Sequence, residues 1–267
     1  MVAMPPVFLG VSHKMYFDPQ QTLSWSRAVA DMARRSEAIR SQRVSLVVLP
    51  SLPVLASVVD VFAGAEVQVG AQDLFHEDRG AFTGAVSAYD LRQIGCGYAE
   101  IGHAERRAMF GDDDRIVRLK VAAAIRNGLT PILCIGEPQK TSREAAQAWC
   151  LQQLESALGW LVDERQSVPL VVAYEPVWAI GQSRAADDEH LQFVIPAIRD
   201  WLQQRPSVAD ARLIYGGSAG PGTLTRLAGL VDGLFLGRFA HDLAALAAIL
   251  GEADDLTTVG VHPSQSC

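Results

Sequence analysis

The sequence predicts an α/β protein built as a single (β/α)8 barrel. Eight short apolar or β-branched runs are each followed by a stretch with helical periodicity. The runs are continuously apolar rather than alternating with polar residues, as strands of a parallel sheet covered on both faces must be. Eight units of about 30 residues each occupy most of the 267 residues. Closing the sheet leaves no unpaired edge strand, which favours the barrel over its alternative, a doubly wound open sheet.

In chain order the predicted strands are Val7 to Val11, Val44 to Leu49, Glu66 to Ala71, Tyr98 to Gly102, Thr130 to Ile135, Leu170 to Tyr174, Arg212 to Tyr215 and Val231 to Leu236. Between the first two, Leu23, Trp25, Val29, Met32 and Ala33 make an apolar helical stripe; Val117, Val121, Ala124 and Ile125 make another after the fourth. Asp112, Asp113 and Asp114 precede that second stripe and read as a helix cap, since no histidine stands at ligand spacing to make them a metal site. Trp149, Trp160 and Trp201 lie on helical stripes and read as packing residues of the outer shell. No Pro/Gly/Ser-rich linker divides the chain, so residues 1–250 form one domain, and 251–267 are expected to be a polar, poorly ordered tail.

Composition narrows the function. Hydrophobic residues make up 49% and charged residues 20%, enough for a sizeable core. A net charge of −7 gives no general field for nucleic acid or an anionic membrane, so an anionic ligand must be attracted locally. Only three of the 23 basic residues are lysine: Lys14, Lys120 and Lys140. Cys96, Cys134, Cys150 and Cys267 are widely and irregularly spaced, which argues against a disulfide framework or thiolate zinc site and fits a reducing compartment. The absence of a signal-like N-terminus and of any apolar run of membrane-spanning length predicts a soluble, cytoplasmic protein.

In such a barrel the chemistry sits where strands end. Four predicted ends are polar: Ser12-His13-Lys14, Gly102-His103-Ala104-Glu105, Tyr174-Glu175-Pro176 and Tyr215-Gly216-Gly217-Ser218. Lys14 is the one lysine at a strand end and supplies a local positive charge; its structural alternative is an ion pair with a carboxylate such as Glu105, and the two are compatible. His103 precedes a predicted helix start, whose dipole favours a neutral imidazole able to donate to a carbonyl oxygen, although a histidine here also suits a purely structural role. Glu175 follows an apolar strand, and apolar surroundings raise a carboxylate toward the range of a general base. Its structural alternative is a buried pair with arginine. Pro176 to Gly181 reads as a lid. The glycine-rich loop from Gly216 and the turn Leu236-Gly237-Arg238 offer backbone N–H groups for a phosphate, and each alone would also suit an ordinary tight turn.

Three strings resemble the triosephosphate isomerase family: Ile101 to Arg107, Ala173 to Gly181 and Tyr215 to Ser218. Gly80 to Gly84 and Cys134 to Glu137 extend the likeness from Gly10 to about Gly237. The resemblance implies a TIM barrel with Glu175 as the base, His103 as a neutral electrophile and Lys14 steadying an enediolate, with no cofactor. It also implies a lid from Val177 to Gln182 closing over a phosphate held near Gly181, Ser218, Gly237 and Arg238. Asp73 to Gly84 resembles the family's dimer loop, with Thr83 reaching a neighbour's site in a homodimer.

The departures bear on substrate. Ser12-His13-Lys14 stands where the family usually has Asn-Trp-Lys, so a hydroxyl replaces an amide and widens the pocket. Ala104 replaces the serine after the histidine. Gln182-Ser183-Arg184 replaces Thr-Gly-Lys, and Arg238 replaces a glycine. The leading expectation is the interconversion of dihydroxyacetone phosphate and glyceraldehyde 3-phosphate, within glycolysis and gluconeogenesis. A four-carbon ketose phosphate follows closely, the reaction then joining L-erythrulose 1-phosphate and D-erythrulose 4-phosphate. A barrel that binds a phosphometabolite without turning it over is the alternative of another class, against which the retained base argues. A Schiff-base aldolase fares worse, because Lys14 is occupied with charge stabilisation.

Overall fold

The computed structural model describes residues 7–162, 167–181 and 186–259. Eight parallel strands close into a barrel in sequence order, β8 pairing back onto β1. They are β1 (Val7–Ser12), β2 (Val44–Leu49), β3 (Val67–Ala71), β4 (Tyr98–Ile101), β5 (Thr130–Ile135), β6 (Val171–Tyr174), β7 (Arg212–Tyr215) and β8 (Gly233–Leu236). Around them run α1 (Pro19–Arg35), α2 (Glu37–Arg40), α3 (Leu55–Phe62), α4 (Ala88–Gln93), α5 (Ala104–Phe110), α6 (Asp114–Arg126), α7 (Arg143–Leu158), α8 (Asp188–Gln203), α9 (Thr223–Arg226) and α10 (Leu243–Val259).

The two-residue alternation of each strand sorts its side chains into two cores. Phe8, Val47, Leu49, Ile132, Cys134, Val171, Ala173, Ile214 and Phe235 fill the barrel interior. Leu9, Val11, Leu46, Val48, Ala99 and Ile101 face outward and pack beneath the helices. Both faces are dry, which is why the strands read as unbroken apolar runs. Gly10 faces inward at a point where a Cβ would come within 2.6 Å of the Phe235 ring, so glycine lets that ring cross the barrel.

Helix starts follow their capping chemistry. Asp18 and Gln21 form a reciprocal capping box around Pro19, the first residue of α1, and Trp25, Val29 and Ala33 turn the buried face of the helix to the sheet. Burying a side chain such as that of Val29 contributes about 1.5–3 kcal/mol. Of the three consecutive aspartates, Asp113 caps α6 by accepting from the Ile116 N–H. Asp112 instead pairs with the buried Lys120 at 2.6 Å, and Asp73 meets the same ammonium at 2.7 Å.

Several expectations change. Trp149 is 46% exposed and Trp160 follows α7 in a turn; Trp201 is buried as expected. The tail expected from residue 251 is helical through Val259, because Ala253 and Thr257 are buried and Asp254 pairs with Arg43 at 2.8 Å. Gly251 therefore lies inside α10. Residues 260–267 and the lid positions Gln182, Ser183 and Arg184 lie outside the described residues. Cys96, Cys134 and Cys150 are free and buried. No described helix is long and apolar enough to cross a membrane.

Candidate active site

At the C-terminal mouth of the barrel a cavity of about 700 Å³ collects residues from the ends of β1, β4, β6, β7 and β8. Lys14, His103 and Glu175, far apart in the chain, all line it.

The end of β1 turns sharply. Ser12 faces the barrel interior, and His13 faces outward into an aromatic nest with Trp25 at 4.4 Å and Phe17 at 5.1 Å between ring centroids. Burial, then the neighbouring His241, pushes the His13 imidazole down to about 3, so it packs as a neutral ring. Lys14 adopts a left-handed backbone with φ of 49°, a conformation that costs a residue with a Cβ roughly 1–2 kcal/mol. Gln72 holds that turn: its amide donates to the carbonyl oxygens of Lys14 and Leu49, each at 2.9 Å. The Lys14 ammonium then donates to Glu105 Oε1 at 2.6 Å, so the expected ion pair is present. Burial works to lower the Lys14 pKa, but the Glu105 hydrogen bond and the charges of Glu105, Glu175 and Glu100 outweigh it and raise the value.

His103 is the N-cap of α5, its Nδ1 accepting from the Glu105 N–H at 3.1 Å. That bond puts the proton of a neutral ring on Nε2, 3.7 Å from Glu175 Oε2. Burial and then the Lys14 charge push His103 down to about 4, against an opposing pull from Glu105. Arg107 fixes the chain entering this position by donating to the Gly102 carbonyl at 2.9 Å.

Glu175 leaves β6 with its N–H donating to the Ile135 carbonyl at 2.8 Å, and it is only 6% exposed. Its Oε2 has no hydrogen-bond partner among the described residues. Burial raises its pKa to about 7, opposed by the Lys14 charge and the Cys134 thiol. Gly216 is required opposite it, since a Cβ there would lie 2.3 Å from Glu175 Oε1. Ala104 leaves a void of about 20 Å³ bordered also by Cys134 and Glu175.

Gly181, Ser218, Gly237 and Arg238 line the opposite part of the cavity. Ser218 has a left-handed φ of 54°, and its hydroxyl donates to the Ala179 carbonyl at 2.8 Å. Arg238 donates to the Gly181 carbonyl at 3.3 Å and lies over the Tyr16 ring, tying the turn after β8 to the start of the lid. The first part of that lid is a short 3-10 turn, Val177–Ala179, anchored where Trp178 Nε1 donates to the buried Glu137 at 2.7 Å. Thr83 lies in an exposed loop and does not line the cavity of its own chain.

Two residues of this site escape sequence reasoning. Gln72 acts through contacts to loops far away in the chain, which no local pattern signals. Glu100 is buried in β4, lines the cavity and accepts from the Ser12 hydroxyl at 2.9 Å. Its signal is available: counting by two from the inward-facing Tyr98 turns Glu100 inward as well. Burial, with the Glu175 charge next, raises its pKa to about 8, while Ser12 and Lys14 pull it down. Among the described residues no group of three or more His, Cys, Asp or Glu side chains is placed to hold a metal ion.

A carboxylate poised near neutrality, a neutral imidazole with its N–H turned inward and a fixed ammonium around one cavity define a barrel suited to moving a proton between adjacent carbons. Residues 7–253 match the triosephosphate isomerase family, and the chain belongs to it as an isomerase. It is 50% identical over 250 residues to the L-erythrulose-1-phosphate isomerase of Pectobacterium atrosepticum, covering 94% of this chain and 96% of that protein. The Rhizobium etli protein of the same name is 38% identical, covering 91% of each. The triosephosphate isomerase of Moorella thermoacetica is 41% identical over 79% of this chain and 87% of its own. The crystal structure of triosephosphate isomerase from Bartonella henselae superposes with a TM-score of 0.77 at 26% identity, covering 94% of this chain and 99% of that one.

Proposed function

We propose that the enzyme interconverts L-erythrulose 1-phosphate and D-erythrulose 4-phosphate, with Lys14, His103 and Glu175 carrying the reaction. The two ketoses differ only in which of two adjacent carbons bears the carbonyl. Glu175 takes the proton from the carbinol carbon beside the carbonyl, and the electron pair moves onto the carbonyl oxygen. His103 donates its Nε2 hydrogen bond to that oxygen and passes a proton between the two oxygens, while the Lys14 ammonium balances the enediolate charge. Glu175 then returns its proton to the former carbonyl carbon. Each step uses a group already in the required state: a base near neutrality and a ring too weakly basic to be cationic. No cofactor enters the sequence. The phosphate lies against the Gly181, Ser218, Gly237 and Arg238 side of the cavity, away from the Ser12 floor.

The observation that carries the substrate is that floor. Ser12 presents a small side chain to the cavity at the point where the resemblance leads one to expect asparagine, and a four-carbon ketose needs room for one hydroxymethyl group on the reacting carbon. Two of the relatives above are L-erythrulose-1-phosphate isomerases, the more similar at 50% identity, which supports the four-carbon reading over the triose one that the sequence favours. Comparing kcat/KM for the tetrulose and triose phosphates tests this. Triose turnover near the diffusional ceiling with no tetrulose turnover would return the enzyme to the three-carbon reaction.

The enzyme works as a homodimer on this reading. Met15 and Phe82, 91% and 42% exposed, sit on the first loop and on the loop that carries Thr83, and they give a partner apolar surface to cover. Sedimentation at twice the 28.8 kDa chain mass is expected; a concentration-independent monomer would remove the dimer. The free, buried cysteines suit a cytoplasmic enzyme.

A further inference from the structure

We propose that Glu100, together with Ser12, is the specificity-determining pair that binds the terminal hydroxymethyl group of the substrate. The inference rests on the four-carbon reading above and names the residues that read the fourth carbon.

β1 and β4 are not neighbours in the barrel, so the Ser12–Glu100 hydrogen bond spans the interior rather than a strand pair. The inward positions of the two strands form levels. Phe8 meets Tyr98 edge to face at 5.6 Å in the lower one, and Ser12 and Glu100 meet at the top, where both line the cavity. The lower level packs the barrel with two aromatic rings, the Tyr98 hydroxyl being satisfied by Ser45. The upper one holds a carboxyl group 3% exposed at the floor of the cavity. Burying such a group is unfavourable unless it is compensated, and one serine hydroxyl compensates little of that. The fold does not require Glu100, because Ala99 and Ile101, on the other face of β4, supply the contacts beneath the helices.

A ligand hydroxyl explains the expense. The terminal hydroxyl of a four-carbon ketose offers one donor and one acceptor, and the serine hydroxyl and the carboxyl group can match both. A triose phosphate carries only hydrogen in that place and would leave the pair without its ligand contact. Sites built to hydrogen-bond a hydroxyl discriminate strongly against the analogue that lacks it.

The test measures kcat/KM for L-erythrulose 1-phosphate and for dihydroxyacetone phosphate in the full-length wild type, Glu100→Gln, Glu100→Leu and Ser12→Ala. The tetrulose-to-triose ratio is expected to fall by about 30-fold or more in Glu100→Leu, which abolishes hydrogen bonding, and by roughly 3- to 10-fold in Ser12→Ala. Glu100→Gln, which keeps a donor and an acceptor, is expected to stay within about fivefold of the wild-type ratio. Should Glu100→Leu not fold, a ratio unchanged in Ser12→Ala overturns the pair. A parallel loss on both substrates in Glu100→Leu also overturns it, by placing Glu100 behind Lys14 rather than against substrate. Wild type that ignores the tetrulose phosphate overturns the substrate reading and this inference with it; wild type that turns it over while no variant shifts the ratio overturns this inference alone.

Discussion

Replacing Glu100 by Gln should stabilise the protein in alkaline solution and do far less in acid. Its carboxyl group is almost wholly buried, and burial raises its pKa from 4.5 to about 8. In the unfolded chain the group ionises near the ordinary value, so between these limits the folded state holds the extra proton. Stability from such a raised carboxyl is fully present below pH 4.5 and is lost as pH rises through about 8. At about 1.4 kcal/mol per pH unit, integration from pH 5.5 to pH 8 gives a wild-type loss of about 3 kcal/mol from this residue. For a chain of this length that corresponds to about 6 °C in Tm. Glutamine keeps the shape and a hydrogen bond to Ser12 but cannot ionise. Differential scanning calorimetry across pH 5 to 9 should therefore show the Tm of Glu100→Gln gaining on wild type by about 6 °C over that interval. A difference between the two proteins that stays flat with pH would refute the burial argument, because it would mean that Glu100 is as well solvated in the fold as in the unfolded chain.

The pH profile of wild-type kcat/KM should rise through about pH 7 as Glu175 ionises, with no second acid limb from His103 above about pH 4. A flat profile from pH 6 to 8 would deny Glu175 the role of base. Glu175→Gln should lower kcat by about 10²- to 10⁴-fold and end exchange of the substrate's carbon-bound proton with solvent, read by NMR in deuterium oxide. His103→Asn keeps an oxygen to cap α5, but its shorter side chain cannot carry an N–H to the position of Nε2, so kcat should fall by about 10²-fold or more while Tm stays within a few degrees. Ala104→Ser places a hydroxyl beside the small void next to Glu175 and gives the carboxylate a donor, moving the acid limb of the profile to lower pH. An unmoved limb would mean that the hydroxyl points elsewhere.

The barrel was legible because its strands are dry on both faces. Val44–Leu49, Thr130–Ile135 and Arg212–Tyr215 fall where the apolar runs place them. Glu66 and Val231 lie just outside their strands, Glu66 in a left-handed turn that hydropathy does not register. Lys14, His103 and Glu175 can be picked out because each is a polar residue within two positions of the end of an apolar strand, and the topology does the rest by bringing strand ends to one mouth. Glu100 is hidden for the opposite reason: it sits inside the run, where a single carboxylate looks like an interruption rather than a lining residue. Gln72 holds Lys14 through backbone carbonyls, so its partners carry no side-chain signature at all. The extent of α10 is hidden because the residues after Leu250 read as a polar tail, whereas the packing of Ala253 and the Arg43–Asp254 pair carry the helix on to Val259.

The arrangement also separates two tasks along the same strands. The groups proposed to carry the reaction lie beyond the last strand residues, on turns held by their own devices: Gln72 under Lys14, the α5 N-terminus under His103, Gly216 against Glu175. The groups proposed to read the substrate's far end lie deeper, at Ser12 and Glu100, in regular strand, where Ser12 pairs with Leu49 of β2 and Glu100 with Ile132 of β5. A change at the deeper level alters the shape and polarity of the floor without disturbing the turns above it. Electrostatics links the two levels, because a charge on Glu100 would raise the Lys14 pKa and oppose ionisation of nearby carboxylates. Keeping Glu100 protonated at neutral pH limits that coupling: the floor can offer a hydroxyl-binding carboxyl group while the one carboxylate needed as a base remains free to ionise. Burial thus serves both levels, setting Glu175 near neutrality and holding Glu100 above it.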